Sequence, residues 1–128
     1  MQSLFTIFSH KLTEAQKEDA FQKLDCDEIV TLPQQLQQLW SQIPPEGSID
    51  TFIDKFKKYL SENSQKGDYI LIQGEFGATF TLVNWCLDND RIPIYATTKR
   101  VAKEIESKNG EVKKLNVFKH VQFRRYKR

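Results

Sequence analysis

Short apolar runs and amphipathic stretches take turns along this chain. Leu4, Phe5, Ile7 and Phe8 make a run of strand length, read as a first strand over Ser3 to Phe8 and closed by Ser9-His10-Lys11. Thr13 and Gln16 stand at capping-box spacing, so a helix is expected from there to Leu24, with Ala15, Ala20, Phe21 and Leu24 turned inward. Glu28 to Leu32 has the β-branched character of a second strand. Pro33 to Ile43 is expected as a short helix with proline in its first turn, burying Leu36, Leu39 and Trp40. After the break at Pro44-Pro45-Glu46-Gly47, Ile49, Phe52, Ile53, Phe56 and Leu60 recur at helical spacing over Ser48 to Leu60, and Ser61 to Asp68 reads as a loop.

Tyr69-Ile70-Leu71-Ile72 is apolar throughout, as befits a central strand covered on both faces. A helix over Ala78 to Leu87 and a strand over Ile92 to Ala96 complete a βαβ unit, which implies a parallel sheet. Beyond Thr97 the pattern changes. Asn109-Gly110 signals a two-residue hairpin between Val101–Glu106 and Glu111–Leu115, and Val117, Val121, Phe123 and Tyr126 suggest a last strand. The expected fold is a single three-layer α/β domain over 1–128, with a mainly parallel sheet and a C-terminal antiparallel β addition.

Composition narrows the function classes. A length of 128 residues with 39% hydrophobic and 28% charged residues suits one soluble domain. No apolar run reaches the roughly 20 residues of a bilayer span, so no membrane partner is expected. The N-terminal stretch has no signal-peptide pattern, and cytoplasmic localisation is the expectation. Cys26 and Cys86 then read as reduced thiols. Charge is uneven along the chain: residues 99–128 hold eleven Lys or Arg and three Glu, a balance of +8, against −6 for residues 1–98. The basic end points to an anionic partner, or to an acidic part of the same protein packed beside it.

Candidate chemistry gathers at three strand ends. Gln73-Gly74-Glu75-Phe76-Gly77-Ala78-Thr79 follows a buried strand and opens a helix, where free backbone N–H groups and the helix dipole suit phosphate oxygens. There Gly74 and Gly77 allow close approach, Thr79 can donate a hydroxyl bond, Phe76 can stack on a base, and Glu75 is expected to face solvent or a sugar hydroxyl. The segment is neither a GxGxxG nor a Walker loop, and a turn with no ligand is its bland alternative. Thr97, Thr98, Lys99 and Arg100 are read as the exit of the next strand on the same edge, with Arg100 able to fork onto phosphate. Ser9 and His10 end the first strand there too, His10 with a proton to move near neutral pH. His120 and Arg124 could close the pocket from the C-terminal addition, or lie on an exposed strand or a subunit interface. No metal-ligand pattern, GxSxG elbow or Cys/His arrangement stands in the chain, so neither metal nor cofactor is expected.

Four blocks carry a resemblance: Leu4-Phe5…Phe8-Ser9-His10…Leu12-Thr13, Ile72 to Thr79, Pro93 to Arg100, and Val117 to Arg124. In order and spacing they resemble the small stand-alone CRISPR-associated ring nucleases, relatives of the CARF sensor domain that accompany type III CRISPR systems. The resemblance implies a Rossmann-like fold, a homodimer, and binding of cyclic oligoadenylate, especially cyclic tetra-adenylate, across the two-fold axis. It also implies ring opening that ends the antiviral response, with no DNA partner. On that likeness, Ser9 and His10 occupy the first strand end, Gly74 to Thr79 cradle phosphate and base, and Thr97 to Arg100 bracket the scissile phosphate. Catalytic roles fall to His10, Lys99 and Arg100. Two rival expectations stand beside it: a non-catalytic sensor or sponge for the same ligand, and a general nucleic-acid binder using the basic C-terminal face.

Overall fold

The computed structural model describes residues 2–128. Five strands, β1 (Ser3–Ile7), β2 (Glu28–Thr31), β3 (Tyr69–Ile72), β4 (Ile92–Glu106) and β5 (Val112–Arg125), form one sheet in the order β2-β1-β3-β4-β5. The first four are parallel and β5 returns antiparallel to β4, so the α/β class and the C-terminal antiparallel addition are both present. Four helices accompany them: α1 (Glu14–Gln22), α2 (Gln34–Ser41), α3 (Asp50–Asn63) and α4 (Phe76–Asp88).

Alternation along the strands divides the core in two. Phe5, Ile7, Ile70 and Ile72 point to a first face, where Trp40, Ile53, Phe56, Leu60 and Leu82 of α2, α3 and α4 cover them. Leu4, Tyr69, Leu71 and Ile94 point to a second face, covered by Ala20 of α1. The parallel strands β1 and β3 are buried on both sides, hence the uninterrupted apolar sequence of β3 and the apolar residues of β1 around a single buried Thr6.

The capping box forms as read: Thr13 Oγ1 accepts from Gln16 N at 3.2 Å and Gln16 Oε1 accepts from Thr13 N at 2.9 Å. Ala15 and Phe21, expected inward, are exposed; polar Gln16 and Asp19 are buried on α1 instead, Asp19 meeting a partner on β5. Helix α3 runs three residues beyond Leu60 into the stretch read as a loop, and its end is held by Arg91, whose guanidinium donates to the Ser64 carbonyl at 2.8 Å.

The largest departure lies after Ala96. The strand does not end there; it continues to Glu106 and pairs with β5 along its whole length. Its turn is a three-residue loop, with Ser107 N donating to Glu111 O and Gly110 alone at positive φ (+77°). Asn109 therefore takes an ordinary conformation, and the two-residue turn is corrected to a type I turn closed by a glycine bulge. Among the described residues, nothing but the two strands themselves pairs beyond the Thr98–His120 rung, so the ribbon projects as an arm.

Candidate functional site

In the order β2-β1-β3-β4 the chain reverses direction of travel between β1 and β3. The crevice beyond the carboxyl ends of those strands is the usual ligand position of an open parallel sheet. The register sets Ile7 beside Ile72 and Leu71 beside Ile94, so Ser9-His10, Gln73–Phe76 and Ala96–Lys99 all come to one edge.

The sheet nevertheless sorts their side chains onto two sides. Arg124 on β5 lies against Tyr95 on the first face, where Phe76 and Thr79 of α4 also sit, and Thr97 and Lys99 follow Tyr95 by alternation. His10 lies edge-on to Phe8 with ring centroids 5.3 Å apart, in a cleft with Thr6 and Ile29 on the second face. Thr98, His120 and Arg100 belong to that second face as well. Because Thr97 to Arg100 lie inside a continuous strand, Lys99 and Arg100 point in opposite directions. The reading of this segment as a strand exit is corrected accordingly.

The turn after β3 is fixed by neighbours that sequence inspection overlooks. Trp40 Nε1 donates to Gln73 O at 2.9 Å, and Gln73 Oε1 accepts from Ala96 N at 2.9 Å. A Cβ on Gly74 would stand 2.6 Å from Trp40 Nε1, so this glycine is required by an indole of the protein itself. Gly77 has more room, its nearest neighbours being the Glu75 carboxylate at 3.1 Å and Ile49 Cδ1 at 3.5 Å from an added Cβ.

Glu75 is exposed, as expected, and has a structural post as well. It is the N-cap of α4, and its carboxylate accepts from Gly77 N and Ala78 N. Those are the donors a phosphate would use, so an anion reaching this helix end must displace Glu75. Beside it, Phe76 is 93% exposed and Phe80 71%. Both line a cleft of about 330 Å³ between α4 and Tyr126-Lys127-Arg128; Thr79 lines it too, with its hydroxyl oxygen buried and without a hydrogen-bond partner. Phe80 was legible as the residue one helical turn after Phe76.

Two other candidates are engaged within the protein. Thr97 Oγ1 donates to Gln122 O at 3.0 Å and accepts from Gln122 N at 3.3 Å, closing the bulge at Thr97/Thr98. His120 is buried, with Nε2 2.7 Å from Asp19 Oδ2 and Nδ1 unpartnered. It clamps α1 to β5, on the opposite side of the sheet from Arg124, so the two do not close one pocket together. Tyr126 donates to Ile72 O at 2.7 Å and packs at a tilt against Tyr95, ring centroids 4.8 Å apart, tying the C-terminal tail to the end of β3. Its phenol is raised by burial and by Tyr95.

Both thiols are buried. Burial, with Asp68, Asp27 and Asp25 nearby, pushes Cys26 up to about 11, and burial pushes Cys86 up to about 12 against the lowering influence of Arg91. Neither is a nucleophile at neutral pH. No helix among the described residues is long and apolar enough to cross a membrane.

Comparison with known proteins bears on the whole chain. A protein of Methanocaldococcus jannaschii, described as "Uncharacterized protein MJ1673", is 47% identical over 127 residues, covering 98% of each chain. No solved structure matches. A family model described as "Uncharacterized protein MJ1673 family" matches residues 2–124, and the chain belongs to that family.

Proposed function

We propose that the protein is a metal-independent ring nuclease with a Rossmann-like, CARF-like core. It binds cyclic oligoadenylate, cyclic tetra-adenylate above all, as a homodimer and linearises it, switching off type III CRISPR antiviral signalling. The observation that carries this reading is the strand order, with its reversal between β1 and β3 and three polar segments along one edge. Their division between the two sides of the sheet favours a ligand large enough to straddle the edge, which a ring of nucleotides is and a mononucleotide is not.

The chemistry asks little beyond positioning and charge stabilisation. A ribose 2′-oxygen attacks the neighbouring phosphorus, the bond from phosphorus to the 5′-oxygen breaks, and that oxygen leaves with a proton. The fragment ends in a 2′,3′-cyclic phosphate. Lys99 and Arg100 stabilise phosphate charge from the two sides of β4, Phe76 stacks on a base, and Thr79 and Thr98 position the chain. His10, the exposed imidazole, moves the proton. Displacement of Glu75 would free the Gly77 and Ala78 amides for a phosphate oxygen.

A second reading, a sponge that binds the ring without opening it, is favoured by one observation: of the two histidines, His120 is held by Asp19, which leaves His10 as the one imidazole to move protons. Incubation with cyclic tri-, tetra- and hexa-adenylate in excess EDTA, with products resolved by mass, separates the two. The expected result is linear fragments from the tetra-adenylate, formed at least tenfold more slowly by Arg100→Ala, about 1.4 kcal/mol of barrier. Intact ring after long incubation supports the sponge, and cleavage only on adding metal defeats the mechanism. Equal, steeply salt-dependent binding of unrelated single-stranded RNA supports a general nucleic-acid binder.

A further inference from the structure

Where β2 ends as the outer strand of the sheet, a cleft of about 240 Å³ opens on the second face. The parallel register sets Ile29 beside Leu4 and Thr31 beside Thr6, so these four share that face. Of the lining, Thr6 is buried, Phe8, Ile29 and Gln37 are half-buried, and His10 and Lys11 are exposed. Polarity therefore rises from a largely apolar interior to a cationic mouth. No carboxylate lines the cleft. Lys17 at the mouth is paired with Glu14 at 3.4 Å, and Lys11 makes no ion pair among the described residues.

Gln37, from α2, brings a planar carboxamide to this lining, an acceptor and a donor side by side. Its Nε2 meets Ser9 O at 3.4 Å, longer than a good N–H···O bond, and that is the amide's one contact of this kind among the described residues. The carboxamide is therefore held loosely and has its oxygen and a second N–H to offer. In volume the cleft lies below the sites that bury a whole drug-sized ligand, so it takes one ring system and not a ring of nucleotides.

We infer that this cleft is a purine pocket that takes one adenine of the ligand, with Gln37 as the residue that reads the base. Phe8 and Ile29 give the heterocycle apolar walls, while His10 and Lys11 meet the sugar and phosphate at the mouth. Adenine presents an amino donor beside a ring-nitrogen acceptor, the pattern a glutamine amide satisfies with two bonds. Guanine presents two acceptors on that edge, of which the amide can serve one. A cationic ligand would find no counter-charge here, and a bare phosphate would leave the apolar walls uncovered. Phe76 lies on the other side of the sheet, so two bases of a ligand straddling the edge have separate sites. The inference rests on the proposed function for the source of the base, and names the residue that sets its specificity.

The test uses the full chain with adenosine 5′-monophosphate, guanosine 5′-monophosphate and inorganic phosphate as probes, read by methyl and side-chain amide NMR. The adenine nucleotide is expected to shift the Ile29 methyl and Gln37 amide signals, with a dissociation constant at least about tenfold below that of the guanine nucleotide. Phosphate alone is expected to leave Ile29 unmoved. Gln37→Leu, which keeps the side chain's bulk, is expected to erase the preference, and Ile29→Trp, which fills the cleft, to abolish the shifts, each with unchanged circular dichroism. Equal affinity for the two nucleotides, a preference that survives Gln37→Leu, an Ile29 shift reproduced by phosphate, or shifts confined to Phe76 and Phe80 overturns the pocket. Cyclic tetra-adenylate is assayed separately. A protein that leaves the ring intact and keeps the Gln37-dependent preference rejects the nuclease and keeps the pocket; ring opening without that preference does the reverse.

Discussion

At the scale of single residues, Gly74 and Glu75 fix the turn from β3 into α4. Gly74 looks like a position opened for phosphate, yet its missing Cβ makes room for the Trp40 indole. Gly74→Ala is therefore expected to destabilise the protein by about 1–3 kcal/mol through overpacking, measured by urea unfolding, before any effect on ligand is considered. Glu75 is a helix cap held by two amides. Glu75→Ala is expected to lower stability by about 1 kcal/mol and, because the amides are freed, to tighten binding of an anionic ligand. Calorimetry on both properties checks this; a variant that loses stability and affinity together would contradict the displacement role. The thiols carry a pH dependence. Cys86 is raised to about 12 in the folded protein, so its contribution is full below the unfolded-state value near 9 and is lost as pH rises towards 12. A melting temperature that falls over that range, less steeply in Cys86→Ala, is the expected signature.

At the scale of elements, periodicity revealed most of the architecture and little of what joins it. The all-apolar run Tyr69–Ile72, the apolar run of Leu4, Phe5, Ile7 and Phe8 and the Thr13/Gln16 box are local signals, and each element they predict is present. The arm was not legible as one piece, because Thr97-Thr98-Lys99-Arg100 is polar and breaks the apolar run, although polar residues are at home in a strand exposed on both faces. Nor was the α1–β5 clamp, since Asp19 and His120 lie 101 residues apart in sequence and meet only through the fold. That pair makes an expectation at this scale. Asp19→Ala leaves a buried imidazole unpartnered and should cost about 1–3 kcal/mol, with loss of protection in β5 seen by hydrogen exchange.

For the whole molecule, the candidate site was legible as an edge and not as a cavity. The segments near His10, Gln73 and Ala96 could be assigned to one rim from the βαβ order alone. Their sorting onto two sides depends on strand parity, which the continuation of β4 past Ala96 decides. Phe76 and Phe80 stand exposed beside that rim.

The most direct measurement is hydrogen exchange of Arg100→Ala with and without cyclic tetra-adenylate, the substitution slowing ring opening while the map is taken. The account predicts slower exchange in the segments around residues 9–10, 74–80 and 96–99, with the amino-terminal edge at Asp27 and Asp68 unaffected. Protection confined to that opposite edge, or none at all at saturating ligand, would contradict it.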